Sequence, residues 1–140
     1  MNYLLDTKVI SELREPRTRP PHPNVLDWSR GVSPASLYVS VVNVMELERG
    51  ALQLERRDPG QAVVLRAWLS NHVLVAFAGR ILPIDLEVAQ RAAALHLPTR
   101  IAELDAFIAA TALVHQMTVV TRNVSHFAPH GVPTLNPWEA

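Results

Sequence analysis

The sequence contains no cysteine. Disulfides, zinc–thiolate centres and a cysteine nucleophile are therefore excluded, while the redox compartment stays open. It also carries no formal net charge, because 13 Lys and Arg balance 13 Asp and Glu. That is not the overall electropositive footprint of a duplex-binding protein. A local patch can still meet RNA, and bound cations add positive charge to an acidic cleft. Only five glycines occur and they are scattered, so there is no phosphate-cradling glycine loop, which lowers a nucleotide-kinase reading. The N-terminus runs straight into Leu4-Leu5-Asp6, with no basic leader region and no apolar run of membrane-spanning length. A cytoplasmic protein with no membrane contact is expected.

What is present is 140 residues, of which 49% are hydrophobic. This is enough for one ordinary domain over residues 1–140 with a real core. Short apolar runs alternate with helical stretches. Strands are expected at residues 2–5, Leu37–Val41, Arg80–Ile84 and Thr118–Thr121, with a last edge strand at Thr134-Leu135. Asp6 and Thr7 can cap a helix over Lys8–Leu13, since their side-chain oxygens can accept first-turn N–H groups. Further helices are expected over Asn24–Arg30, about Asn43–Leu54, Gln61–Val75, Asp85–Leu95 with Asp85 as its cap, and Ala102–Gln116. Pro16, Pro20, Pro21 and Pro23 break regular structure. Arg14, Arg17 and Arg19 make the same stretch a basic loop. The alternation favours an α/β fold, a short central parallel sheet covered by helices on both faces. In such sheets, ligands bind beyond the carboxyl ends of the strands.

Three carboxylates stand at structural starts within or beside strongly apolar sequence: Asp6, Glu46 and Asp105. A charge beside a core is costly unless it is paired or binds a metal. Several carboxylates meeting at one place make a site for Mg²⁺ or Mn²⁺, because hard cations take oxygen ligands. An ion held there would lower the pKa of a bound water and stabilise charge on a phosphoryl oxygen. Each residue also has a plainer reading. Asp6 can be a helix cap, Glu46 a solvated helix carboxylate, and Asp105 a cap of the Ala-rich helix or an ion-pair partner of Arg100. Thr121 and Asn123 can hold a metal water or phosphate, or serve only the strand-end turn. Trp68 and His72, spaced i and i+4, read as core or dimer surface.

Asp6-Thr7-Lys8-Val9-Ile10-Ser11-Glu12-Leu13 resembles the opening motif of PIN-domain ribonucleases. Glu46-Leu47-Glu48-Arg49-Gly50 resembles their second motif, and Asp105-Ala106-Phe107-Ile108-Ala109-Ala110-Thr111-Ala112 their third. Thr121-Arg122-Asn123-Val124-Ser125-His126-Phe127 and Asn136-Pro137-Trp138-Glu139 resemble the fourth motif and tail. The matches run in order along nearly the whole chain and look most like the VapC/FitB-like toxins of bacterial toxin–antitoxin pairs. The resemblance implies a PIN-like three-layer sandwich and a Mg²⁺- or Mn²⁺-dependent endoribonuclease with Asp6, Glu46 and Asp105 as catalytic and metal-binding residues. It further implies an RNA substrate, a homodimer, and an antitoxin partner that blocks the site and supplies operator-DNA binding.

Two departures stand out. Lys8 replaces the usual Asn of the first motif, and the fourth acidic position is filled by His126 or Asn123, depending on the alignment. Neither carries negative charge, so binding of a second metal is expected to be weaker. Lys8 can neutralise an acidic cluster, contact a phosphate, or lie exposed. His126 can be a ligand surrogate, a proton donor or a surface turn residue. Arg14, Arg17 and Arg19 can guide RNA or form a solvated loop. Lys8 and the missing acid also support an alternative, a degenerate PIN domain that binds RNA or a partner with little or no cleavage.

Overall fold

The computed structural model describes residues 1–14 and 19–139; Pro16 and Arg17 of the basic stretch lie outside them. The elements run β1 (Tyr3–Leu5), α1 (Thr7–Glu12), α2 (Pro23–Arg30), β2 (Leu37–Ser40), α3 (Val41–Glu55) and α4 (Pro59–Trp68). A π turn, Leu69–Val73, carries α4 into the short α5 (Leu74–Ala76). The chain continues with β3 (Ile81–Leu82), α6 (Leu86–Leu95), α7 (Glu103–Val114), β4 (Thr118–Val120), α8 (Val124–Phe127) and β5 (Thr134–Leu135).

The sheet has five parallel strands in the order β3-β2-β1-β4-β5. Tyr3 aligns with both Leu37 and Thr118, so β1, β2 and β4 start level. From β1 the chain passes first to β2 on one side and later to β4 on the other. The β1/β4 boundary is thus the topological switch point, where the connections diverge and leave a crevice beyond the strand ends. Asp6 and Thr121 follow directly on these strands. Their backbones extend the pairing, with Asp6 N donating to Val120 O and Thr121 N to Leu135 O, both at 2.9 Å.

Strand residues alternate between two cores, as the pleat requires. Leu4 and Val119 face one layer with Val88 and Ala92 of α6, Ala106 to Ala112 of α7, and Phe127. Leu5, Val39 and Val120 face the other, with Val9 and Ile10 of α1, Leu47 of α3, and Trp68, Leu69 and Val73. This is the three-layer α/β sandwich. Helix α7 is buried on most of its surface; Ala106, Ala109, Ala110 and Ala112 are at most 1% exposed. Their small side chains let it lie close to both the sheet and α6. Trp68 belongs to the core.

Several boundaries differ from the sequence-based expectation for local reasons. Helix α3 starts at Val41, directly after β2, because Ser40 and Asn43 form a reciprocal capping box. Strand β3 stops at Leu82, before Pro83, whose ring nitrogen cannot donate to a ladder. Helix α7 ends at Val114, and Gln116 adopts φ 57°, a left-handed conformation that no helix continues through. Among the described residues, no helix is long and apolar enough to cross a membrane.

Candidate active site

The site is built outward from the ends of β1 and β4. Asp6 is the N-cap of α1: Thr7 N donates to its Oδ1 at 2.9 Å. Its other oxygen, Oδ2, accepts from Thr121 Oγ1 at 2.8 Å. Thr121 in turn accepts the Asn123 backbone N–H at 3.0 Å, which leaves its own proton to point at Asp6. Capping and site roles therefore coexist in Asp6, and each carboxylate oxygen keeps a lone pair for a further partner. Thr121 is fully buried and lies one residue beyond β4.

Thr7 opens α1, and its hydroxyl does not act as a cap. It donates to Glu46 Oε1 at 2.8 Å while accepting from Asn43 Nδ2 at 3.0 Å. Asn43, 0% exposed, is fixed at its other end, where Oδ1 accepts Ser40 N at 2.7 Å. The capping box of α3 and the placement of Glu46 thus share one asparagine. Thr7 and Asn43 were not singled out from sequence as members of the site. The available signal was the Ser40/Asn43 spacing just ahead of Glu46, with a polar Asn inside Val41-Val42-Asn43-Val44.

Asp105 lies in the first turn of α7, three residues after the N-cap Ala102, so it is not the cap. It also makes no ion pair with Arg100; its partner is His126, whose Nδ1 lies 3.1 Å from Asp105 Oδ2. The Asp105 side chain is 25% exposed and that of His126 52%. Burial pushes the Asp105 carboxyl above its ordinary value of 3.8, the His126 ring pulls it back, and the negative charge of Asp6 pushes it up further. Asp6 therefore lies near enough for its charge to act on Asp105.

The structure brings together Asp6, Thr121, Asp105 and His126, with Glu46 joined through Thr7. Asn123 contributes its backbone N–H, and its side chain is half-buried. Lys8 is exposed and forms no ion pair with any described carboxylate. Among the described residues, no three His, Asp or Glu side chains sit close enough together to hold a metal ion. The donors at the switch point, the neighbouring carboxylates of Asp6 and Asp105, nevertheless fit Mg²⁺, which commonly binds through one or two carboxylates and keeps several waters.

This chain matches the PIN domain over residues 3–128. It is 40% identical to the plasmid stability protein StbB of Pseudomonas syringae pv. tomato, covering 98% of this chain and 99% of that protein. It is 36% identical to a VapC ribonuclease of Sinorhizobium fredii, covering 97% of each. The crystal structure of FitAcB from Neisseria gonorrhoeae superposes with a TM-score of 0.88 at 36% identity, over 99% of both chains. A structure of FitAB bound to a DNA fragment gives 0.86 at 36% identity, over 99% of this chain and 96% of that one. The coverage is end to end, and the chain belongs to the PIN-domain family, within its VapC- and FitB-like group.

Proposed function

We propose that this protein is a metal-dependent endoribonuclease, the toxin of a toxin–antitoxin module, acting in the cytoplasm. The observation that carries the reading is Asp6 bonded to Thr121 at the switch point of the parallel sheet, with the partly buried Asp105 near enough to respond to its charge, in a chain 36% identical to a VapC ribonuclease. A second carboxylate near the partly desolvated Asp105 disposes the pair toward a cation. Asp6 and Asp105 would hold Mg²⁺ or Mn²⁺, with Glu46 joined to the site through the Thr7 hydroxyl rather than gathered onto the same ion. Bound there, the ion supplies Lewis-acid polarisation of the phosphoryl group and a more acidic water.

The chain's own residues do the rest. Thr7 N–H and Thr121 Oγ1–H fix both oxygens of Asp6, so its lone pairs are aimed before substrate arrives. Thr7 Oγ1–H donates to Glu46 Oε1, which fixes the orientation of that carboxylate. His126 lies against Asp105, half exposed, and lines the adjoining cleft. Such preorganisation avoids reorientation of dipoles during reaction.

The toxin reading brings partners with it: a homodimer, an antitoxin that covers the site, and operator DNA bound through that antitoxin. The solved structure of FitAB bound to a DNA fragment supports the DNA-bound complex in this set. The alternative, a PIN domain that binds with little cleavage, draws on His126 standing at a usually acidic position and on the absence of a three-group metal cluster among the described residues. Lys8 gives it no support, being exposed and unpaired with the carboxylates.

The test is cleavage of total RNA by antitoxin-free protein in Mg²⁺, Mn²⁺ or EDTA, beside Asp105→Asn. Discrete, metal-requiring cleavage that disappears in the variant is the expected result. Metal-independent cleavage, or equal cleavage by the variant, would overturn the mechanism, and RNA binding without cleavage in either metal would favour the alternative.

A further inference from the structure

A cleft of about 290 Å³ opens beside Asp105, between the loop that precedes α7 and the turn that follows α8. Asp105 and His126 are part of its lining. Ile101, Ala102 and Pro129 line it with apolar surface, and Arg100 and His130 bring cationic or titratable groups. The volume is at the lower end of ligand-sized sites, which begin at about 300 Å³. The loop is anchored, because Ile101 is 5% exposed and part of the core. Arg100, its immediate neighbour, is exposed and makes no hydrogen bond or ion pair with any described residue. An unpaired guanidinium on an anchored loop, one side chain away from a carboxylate it does not contact, is available to an external anion.

We infer that this cleft is a substrate subsite that takes the nucleotide next to the scissile phosphate, with Arg100 binding the adjoining backbone phosphate of single-stranded RNA. The inference rests on the ribonuclease reading for its substrate. Continuity with Asp105 gives the position: a phosphodiester seated between Asp6 and Asp105 has its neighbour one nucleotide away, and Asp105 itself lines the cleft. The apolar lining suits a ribose or base face, and the planar guanidinium fork matches phosphate oxygens in pairs. His126 stands at the junction, touching Asp105 while lining the cleft. Arg100 is thus a binding residue, distinct from the carboxylates that would do the chemistry.

The experiment measures equilibrium binding of a fluorescently labelled, mixed-sequence single-stranded RNA, with EDTA chelating the metal so that metal-dependent hydrolysis cannot consume the probe. The full-length protein is compared with Arg100→Gln, Arg100→Lys and the control Arg91→Gln, an exposed arginine on α6 that lies outside the cleft. Arg100→Gln is expected to weaken binding about tenfold and to reduce the slope of log affinity against log salt by about 0.7, one phosphate contact on a single strand. Arg100→Lys should fall between, keeping the charge without the fork, and Arg91→Gln should change neither quantity. Wild-type affinity in Arg100→Gln, an equal loss in Arg91→Gln, or no binding of the probe by the wild type would overturn the subsite. Cleavage of total RNA by the wild type is scored separately. A protein that binds through Arg100 and never cleaves keeps the subsite and sinks the ribonuclease reading. One that cleaves with Arg100 irrelevant to affinity does the reverse.

Discussion

Thr7 Oγ1 donates to Glu46 Oε1 at 2.8 Å, and the bond has only one direction, because Asn43 Nδ2 donates to the same Thr7 oxygen at 3.0 Å. Asn43 cannot turn round without losing Ser40 N, which its Oδ1 accepts at 2.7 Å. The start of α3 therefore sets the orientation of a hydroxyl on α1, which sets a carboxylate one turn further along α3.

Replacing Thr7 by Val keeps shape and removes the donor. Glu46 is then released, and the fully buried Asn43 amide loses its acceptor, a defect that costs about 1–3 kcal/mol. Metal-dependent RNA cleavage should fall about tenfold or more, while Thr7→Ser, which restores the hydroxyl, should recover most of it. Cleavage rates with thermal unfolding as a fold control make the comparison. Equal activity in Thr7→Val and Thr7→Ser would show that the hydroxyl has no positioning role.

How much of this was legible beforehand follows from the range of each interaction. The gathering of Asp6, Thr121 and Asp105 at one edge follows from a parallel sheet, in which every strand end faces the same way. Asp85 as a cap is equally local, its Oδ1 accepting Val88 N at 2.9 Å. The role of Thr7 was not legible, because the hydroxyl of a first-turn threonine can cap its own helix or reach elsewhere, and the choice is made by Asn43, 36 residues away. Arg100 and Asp105 are close in sequence and plausible as an ion pair. Ile101, between them in sequence, is buried in the core, and Asp105 pairs instead with His126, six residues beyond β4 in the chain. Lys8 adjoins Asp6 in sequence, yet on the first turn of α1 its side chain lies exposed, away from the carboxylates.

The raised pKa of Asp105 makes a prediction about stability with a definite sign. Its carboxyl binds a proton more tightly in the folded chain than in the unfolded one, where the value is 3.8. Between 3.8 and the raised folded value, the folded state carries the extra proton, so the contribution of Asp105 to stability falls as pH rises through that window. Above it the ionised group is a constant liability. In EDTA, the stability of wild type relative to Asp105→Asn should be lowest at neutral pH and should improve as pH drops to 3.8. Urea unfolding of both proteins across this range isolates the difference, since the other acids cancel. A wild type that loses ground to the variant on acidification would contradict the burial argument.

The same liability is what a cation would relieve. Mg²⁺ added to the wild type should raise its stability by RT ln(1 + [L]/Kd), about 2.7 kcal/mol at a hundredfold excess over Kd. For a chain of this length that is a rise of several degrees, at roughly 2–4 °C per kcal/mol for larger domains and more for smaller ones. Asp6→Asn and Asp105→Asn should lose most of the rise. Thermal unfolding in EDTA and in increasing Mg²⁺ checks it, and an equal rise in all three proteins would mean that the ion binds elsewhere.

His126 offers the complementary change. It stands 3.1 Å from Asp105 Oδ2, at a position where an acid would complete the set of carboxylates. In His126→Asp the imidazole that lowers the pKa of Asp105 gives way to a second negative charge. Like charges sharing a site push one another's pKa upward and favour any cation that can sit between them. The metal-free protein should therefore melt at a lower temperature than wild type, and the gain on adding Mg²⁺ should be larger, with about tenfold tighter binding if the new carboxylate contributes about 1.4 kcal/mol. His126→Ala separates charge from loss of the ring: it removes the imidazole without adding an acid, and should leave Mg²⁺ affinity within a few fold of wild type. Isothermal titration with Mg²⁺ reads all three proteins. If His126→Asp binds no tighter than His126→Ala, position 126 is not directed at the ion, and the weaker metal site expected from the missing fourth acid must have another origin.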